Sequence, residues 1–162
     1  MTAGLYGHSH PDIQHALTSA IHQIGLSLGA TSVHEQRYAS LLCERFGLDR
    51  VRFTNSGTEA NLHCLAAARK FTGRRKVVVF RGGYHGGVLS FAGGVAPNNV
   101  DPGDWIVVQY NDAAGVQRAF DKGSEIAAVL VEGVQGSAGF IPGTPEFLRV
   151  IRDLTSKVRR HS

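Results

Sequence analysis

The sequence predicts an α/β fold in which a mostly parallel sheet is flanked by helices. Three runs rich in β-branched and apolar residues, Lys76 to Phe80, Trp105 to Gln109 and Glu125 to Val131, read as buried strands. Segments with helical spacing alternate with them, which is the pattern of parallel strands joined by crossovers. Glycines cluster at Gly82-Gly83, Gly86-Gly87 and Gly93-Gly94, where backbone turns tightly or approaches a ligand.

In chain order, Pro11 opens a first amphipathic helix carrying Ile13, Ala16, Leu17, Ala20, Ile21 and Ile24. Ser32 and Glu35 have capping-box spacing and introduce a second helix with Tyr38, Leu41, Leu42, Cys43 and Phe46, stopped at Gly47. Residues Val51 to Thr54 are a short strand candidate, and Ser56 with Glu59 makes a second box that opens a helix from Glu59 to about Phe71. After the strand Lys76 to Phe80 come Trp105 to Gln109, a short helix over Asp112 to Phe120, and the strand Glu125 to Val131. Thr144-Pro145 starts a last helix holding Phe147, Leu148, Val150, Ile151 and Leu154. A wound sheet would continue into a further strand, so the sheet reads as incomplete.

With 162 residues, 43% hydrophobic and 19% charged, the chain has the composition of an ordinary globular domain and not of a disordered one. Cys43 and Cys64 fall inside helical patterns, which disfavours a disulfide scaffold or a cysteine metal site and suits a reducing compartment. Neither a leader nor a bilayer-length apolar run is present in these residues, so a soluble, cytoplasmic protein with no membrane partner is expected. The formal charge of +4 is scattered except at Lys157 to His161, and without aromatic or motif context that run reads as a solvated basic tail, with no nucleic-acid partner. His8 and His10 together with His15, His22, His34 and His63 lack metal-ligand spacing, and no metal is assigned.

Three constellations can carry chemistry. Ser56-Gly57-Thr58 precedes a helix, where free N–H groups and the positive end of the helix dipole favour an anion. Two hydroxyls and a glycine there suit a phosphate; the same residues also suit a plain capped helix. Gly82-Gly83-Tyr84-His85-Gly86-Gly87 follows a strand, at the carboxyl end where ligands gather in open α/β sheets. An aromatic ring among glycines can lie on a planar cofactor and an imidazole can move a proton, although a loop whose tyrosine packs on a neighbour has the same composition. Its spacing is not that of a dinucleotide fingerprint. Glu132 ends a strand before Gly133-Val134-Gln135-Gly136, placed either to orient a cofactor substituent or to accept bonds from turn amides.

Taken in order, these motifs resemble class III pyridoxal-phosphate-dependent aminotransferases, and most closely the glutamate-1-semialdehyde 2,1-aminomutase branch. The resemblance runs from Tyr6-Gly7-His8-Ser9-His10-Pro11 to about Thr155, through Cys43-Glu44-Arg45-Phe46, Asn55-Ser56-Gly57-Thr58-Glu59-Ala60, Tyr84-His85-Gly86, Tyr110-Asn111-Asp112 and the strand ending at Glu132. It implies that residues 1–155 are part of a fold-type I large domain, with 156–162 a basic tail departing from the family. It further implies pyridoxal 5′-phosphate as cofactor, an amino acid or semialdehyde as substrate, and a homodimer. By resemblance, Ser56, Gly57 and Thr58 hold the phosphate, Tyr84 stacks on the pyridine ring, His85 lines the pocket beside it, and Glu132 lies near the ring hydroxyl.

The chain departs from the family at Gly133, where proline is usual, and after Thr155. There the family continues into a strand with an aspartate for the pyridinium nitrogen and then the Schiff-base lysine. Lys70, Lys76, Lys122 and Lys157 match neither context, so the resemblance supplies no catalytic residue here. The substrate-contacting N-terminal segment and the C-terminal small domain are missing as well. The expectation is a partial chain that retains the cofactor weakly, if at all, and is inactive alone, with amino-group transfer as the family activity. The alternative is a non-catalytic interaction protein that pairs with a full-length homologue through exposed apolar surface.

Overall fold

A computed structural model describes residues 4–26, 31–123 and 125–159. The chain divides into two compact units, Met1–Phe53 and Thr54–Ser162.

The first unit holds two helices. Helix α1, Pro11–Ile24, starts with proline in its first turn and ends at Gly25, whose φ of 67° few other residues tolerate. Helix α2, Val33–Phe46, begins at Ser32, whose hydroxyl accepts the Glu35 N–H at 3.4 Å, and ends at left-handed Gly47. No residue of either helix is buried, and Leu17 is 60% and Ile21 54% exposed, so the apolar stripe read from α1 forms as a stripe but is not covered. Residues 51–54, expected as a strand, have no strand structure. The Phe53 ring instead stacks on Tyr38 at 5.2 Å, an aromatic contact that satisfies the apolar side chain without a ladder.

The second unit is layered. Helix α3, Gly57–Thr72, leads into β1, Lys76–Phe80, the centre of a parallel sheet ordered β2-β1-β3. Strand β2, Trp105–Val108, follows a 3-10 turn at Pro102–Asp104; helix α4, Ala113–Lys122, is capped by Asp112 and crosses over to β3, Ile126–Val129. Pairing runs in register from Val77↔Trp105 to Phe80↔Val108 on one side, and Val77↔Ala128 and Val78↔Val129 on the other. A two-stranded hairpin, β4 at Val134–Gln135 and β5 at Ile141–Pro142, comes next. Helix α5 spans Pro145–Arg159, so the residues read as a basic tail begin inside a helix; residues 160–162 lie outside the described residues.

Strand β1 supplies both faces of the core because its side chains alternate. Val78 and Phe80 pack with Val116, Phe147, Ile151 and Leu154 beneath α4 and α5. Val77 and Val79 face Leu65 of α3 together with Leu89, Phe91 and Trp105. Burial on both sides explains why the run Val77-Val78-Val79-Phe80 lacks polar alternation. Its consequence is positional: the carboxyl ends of β1 and β3 are held side by side, and the loops that leave them meet. Among the described residues no helix is long and apolar enough to cross a membrane.

Candidate cofactor site

The site is built at the start of α3. Ser56 Oγ accepts the Glu59 N–H at 3.2 Å, while Glu59 Oε2 accepts the Asn55 N–H at 2.7 Å, a capping box displaced by one residue. The Ala60 N–H bonds the Ser56 carbonyl, which leaves the N–H groups of Gly57 and Thr58 as the helix's first donors. Thr58 Oγ1 accepts the Gly87 N–H at 3.3 Å. Each hydroxyl thus uses its oxygen on the protein and keeps its proton to donate. Two hydroxyl donors, two amide donors and a helix dipole form a set suited to a phosphate dianion.

The second wall is the loop after β1. Gly82 has φ 84° and Gly86 φ 139°, values that let the chain double back at Phe80. The Gly82 N–H donates to the Phe91 carbonyl, the His85 N–H to Leu89 at 2.8 Å and the Phe91 N–H to Gly83 at 2.8 Å, closing a tight hairpin. That hairpin turns the Tyr84 ring outward, 50% exposed, and buries His85 to 9% exposure. Asn61 Nδ2, on α3, donates to the His85 carbonyl at 2.8 Å. A planar aromatic ligand with a phosphate could lie against Tyr84 with its phosphate in the cup, so the residues present fit the cofactor that the sequence suggests.

Glu132 is the third element. Its Oε2 accepts the Tyr84 N–H at 3.1 Å and its Oε1 the Gly136 N–H at 3.2 Å. Both oxygens therefore hold backbone, and of the two roles left open for this carboxylate the turn-bracing one is visible. Burial holds the His85 imidazole below its ordinary range, the larger effect, against the upward pull of the Glu132 carboxylate. Burial and then the same carboxylate push the Tyr110 phenol up, and its hydroxyl donates to the Glu132 carbonyl at 2.7 Å.

All six predicted residues, Ser56, Gly57, Thr58, Tyr84, His85 and Glu132, belong to this one region. Sequence reasoning missed the residues that hold it together. Gln135, 2% exposed, donates to the Arg81 carbonyl at 3.0 Å. Asn111 donates to the Pro142 carbonyl at 3.0 Å and accepts the Thr144 N–H at 2.8 Å. Asn111 has φ 65°, which asparagine tolerates better than most residues, and Asp101 and Phe140 also have positive φ. Gly133 leaves open space around a would-be β-carbon and has no strained φ, so nothing at that position demands glycine. Among the described residues no cluster of three His, Cys, Asp or Glu side chains could hold a metal.

The family described as aminotransferase class-III matches residues 2–160. The chain belongs to that family. Among class III relatives, the β-phenylalanine transaminase of Variovorax paradoxus is 52% identical over 159 residues, covering 97% of this chain and 36% of the relative. A glutamate-1-semialdehyde 2,1-aminomutase of Rhodopirellula baltica is 42% identical over 168 residues, with 94% and 38% covered. The chain thus spans little more than a third of the length of the curated relatives it matches. The solved β-phenylalanine aminotransferase of Variovorax paradoxus superimposes with a TM-score of 0.91 at 51% identity, covering 98% of this chain and 37% of that one. A glutamate-1-semialdehyde aminomutase variant of Pseudomonas aeruginosa PAO1 in complex with PMP gives 0.84 at 30% identity, with 96% and 37% covered. The fold is part of that of the pyridoxal-phosphate-dependent transferases, and class III membership with a PMP-bound neighbour implies pyridoxal phosphate as the family's cofactor.

Proposed function

We propose that this chain supplies the phosphate cup and ring platform of a class III aminotransferase or aminomutase, and that the 162 residues by themselves bind pyridoxal 5′-phosphate weakly without turning over substrate. The observation that carries this reading is the meeting of the α3 start with the Tyr84 loop, where Thr58 Oγ1 takes the Gly87 N–H. When bound, the cofactor supplies an electron-accepting ring for amino-group transfer. Ser56, Gly57 and Thr58 bind its phosphate, Tyr84 flanks the ring, and His85, whose burial favours the uncharged imidazole, lines the wall. Glu132 keeps the loop carrying Tyr84 in place. The proposed substrate class is an amino acid or amino semialdehyde, as in the names of the relatives.

The proposed inactivity rests on the lysines. Lys70 lies on α3, Lys122 ends α4 and Lys157 lies on α5. Lys76 starts the strand whose other end carries the site, and its ammonium donates to the Gly103 carbonyl at 2.8 Å. None is on the loops that form the cup and platform.

Titration with pyridoxal 5′-phosphate, followed by induced circular dichroism in the cofactor's absorption band, should show saturable binding that inorganic phosphate competes away. Borohydride reduction and peptide mass spectrometry should then find no single lysine labelled. Absence of saturable binding would remove the cofactor reading, and specific labelling of one lysine would remove the inactivity. A second reading, pairing with a copy of this chain or with a full-length homologue, is favoured by the uncovered apolar stripe Ile13, Leu17, Ile21 and Ile24. Light scattering of the chain alone and mixed with such a homologue tests it: monomers in both samples would exclude it.

A further inference from the structure

The Tyr84 loop and the phosphate cup belong to different segments of the chain, and two bonds of the first turns of α3 join them. Thr58 and Asn61 stand three residues apart in α3 and so share one face of the helix. Leu65, buried against the sheet, falls on the same stripe and fixes that face toward β1 and its loop. Thr58 Oγ1 takes the Gly87 N–H, and Asn61 Nδ2 donates to the His85 carbonyl 24 positions along the chain. Thr58 belongs to the cup itself. Asn61 does not: its side chain reaches past the cup to the backbone between Tyr84 and Gly86.

Asparagine is a poor residue for a helix interior, because its amide competes for local backbone and it lacks the propensity of alanine or leucine. Here that amide is committed to a distant carbonyl in a loop that needs restraint. The segment Gly82 to Gly87 contains glycine at 82, 83, 86 and 87, with positive φ at Gly82 and Gly86, and such a loop loses much conformational freedom on ordering.

We infer that Asn61 is a positioning residue, which sets the distance and tilt of the Tyr84 ring relative to the Ser56-Gly57-Thr58 cup and so lets one rigid frame meet both ends of a phosphorylated aromatic ligand. This rests on the proposed cofactor reading. Preorganisation is the physical cause: a ligand with two heads gains affinity from two walls held at a fixed spacing, whereas a ligand with one head uses one wall and gains nothing from it.

The test compares two probes on the full chain, inorganic phosphate and pyridoxal 5′-phosphate, by calorimetry with Asn61→Ala and Asn61→Leu. Leucine keeps the branched shape without charge and has no N–H to donate. The phosphate Kd should stay within about twofold, while the pyridoxal phosphate Kd should rise about five- to tenfold, the worth of one neutral hydrogen bond. Amide exchange should accelerate over 82–91 and stay unchanged over 76–80. In the unsubstituted chain, saturating phosphate should slow exchange over 84–87 through the same tether, a measurement that needs no variant. Equal weakening of both probes, an unchanged pyridoxal phosphate Kd, or no slowing by phosphate would overturn the inference while leaving the cofactor reading intact. If the unsubstituted chain bound neither probe, the cofactor reading would fall first and the inference with it.

Discussion

Gly86 lies so close over Thr58 that a β-carbon at Gly86 would stand 2.9 Å from the Thr58 Cα and press on its hydroxyl. The root of the Thr58 side chain and the helix backbone beneath it are what it would meet, and a helix start cannot step aside as the far end of a flexible side chain can. The φ of 139° at Gly86 adds a conformation that L-residues avoid. Gly86→Ala should therefore destabilise the second unit by about 1–3 kcal/mol and abolish phosphate binding at the cup. Urea unfolding and calorimetry check both; Gly87→Ala is the control, since a β-carbon there meets nothing within 4 Å.

Glu132 ties two loops with one carboxylate, the Tyr84 amide on one oxygen and the Gly136 amide on the other. Replacing it by alanine leaves both N–H groups short of an acceptor, at about 1–3 kcal/mol for hydrogen bonds to a charged partner. Glu132→Gln keeps one acceptor oxygen and should fall between alanine and the parent in unfolding free energy. A glutamine variant as unstable as alanine would show that the charge, and not the shape, secures the Tyr84 loop.

Burial of His85 makes stability depend on pH. The folded-state pKa lies below the unfolded value near 6.5, so on acidification the unfolded chain takes up the proton first. The contribution is fully present above that unfolded pKa and is lost as pH falls through it toward the folded pKa. The unfolding free energy should drop more for the parent than for His85→Gln between about pH 7.5 and about pH 5.5. Parallel loss in the two proteins would refute the assignment to His85.

Asn111 joins the end of the β4-β5 hairpin to the start of α5 while sitting at φ 65°. Two substitutions separate these roles. Asn111→Gly loses the side-chain bonds but tolerates the backbone; Asn111→Ala loses the bonds and adds strain of about 1–2 kcal/mol. Thermal unfolding should rank parent, glycine and alanine in that order.

Much of the fold was legible because its signals are local. Pro11, Ser32 and Ser56 mark helix starts through chemistry that acts within one turn, and Gly25, Gly47 and Gly73 lie where α1, α2 and α3 end. The run Val77 to Phe80 announced a strand buried on both faces, which no local alternative satisfies. Residues 51–54 looked like a strand by composition, yet a strand exists only where a partner ladder is offered, and here Phe53 found Tyr38 instead. The 3-10 turn before β2 and the β4-β5 hairpin have two or three residues per element, too few for any periodicity to register.

By itself, then, the sequence determined the five helices, the three strands of the parallel sheet and the groups read as a candidate site: the hydroxyls of Ser56 and Thr58, the ring of Tyr84, the imidazole of His85 and the carboxylate of Glu132. Tertiary structure decided what those groups do to one another. That Glu132 takes the Tyr84 amide, that Asn61 reaches the His85 carbonyl and that Gln135 reaches Arg81 are contacts between segments 24 to 54 positions apart. Such contacts form only once β1 and β3 lie side by side and α3 packs on them, because burial of apolar faces, and not any rule of spacing, brings those segments together.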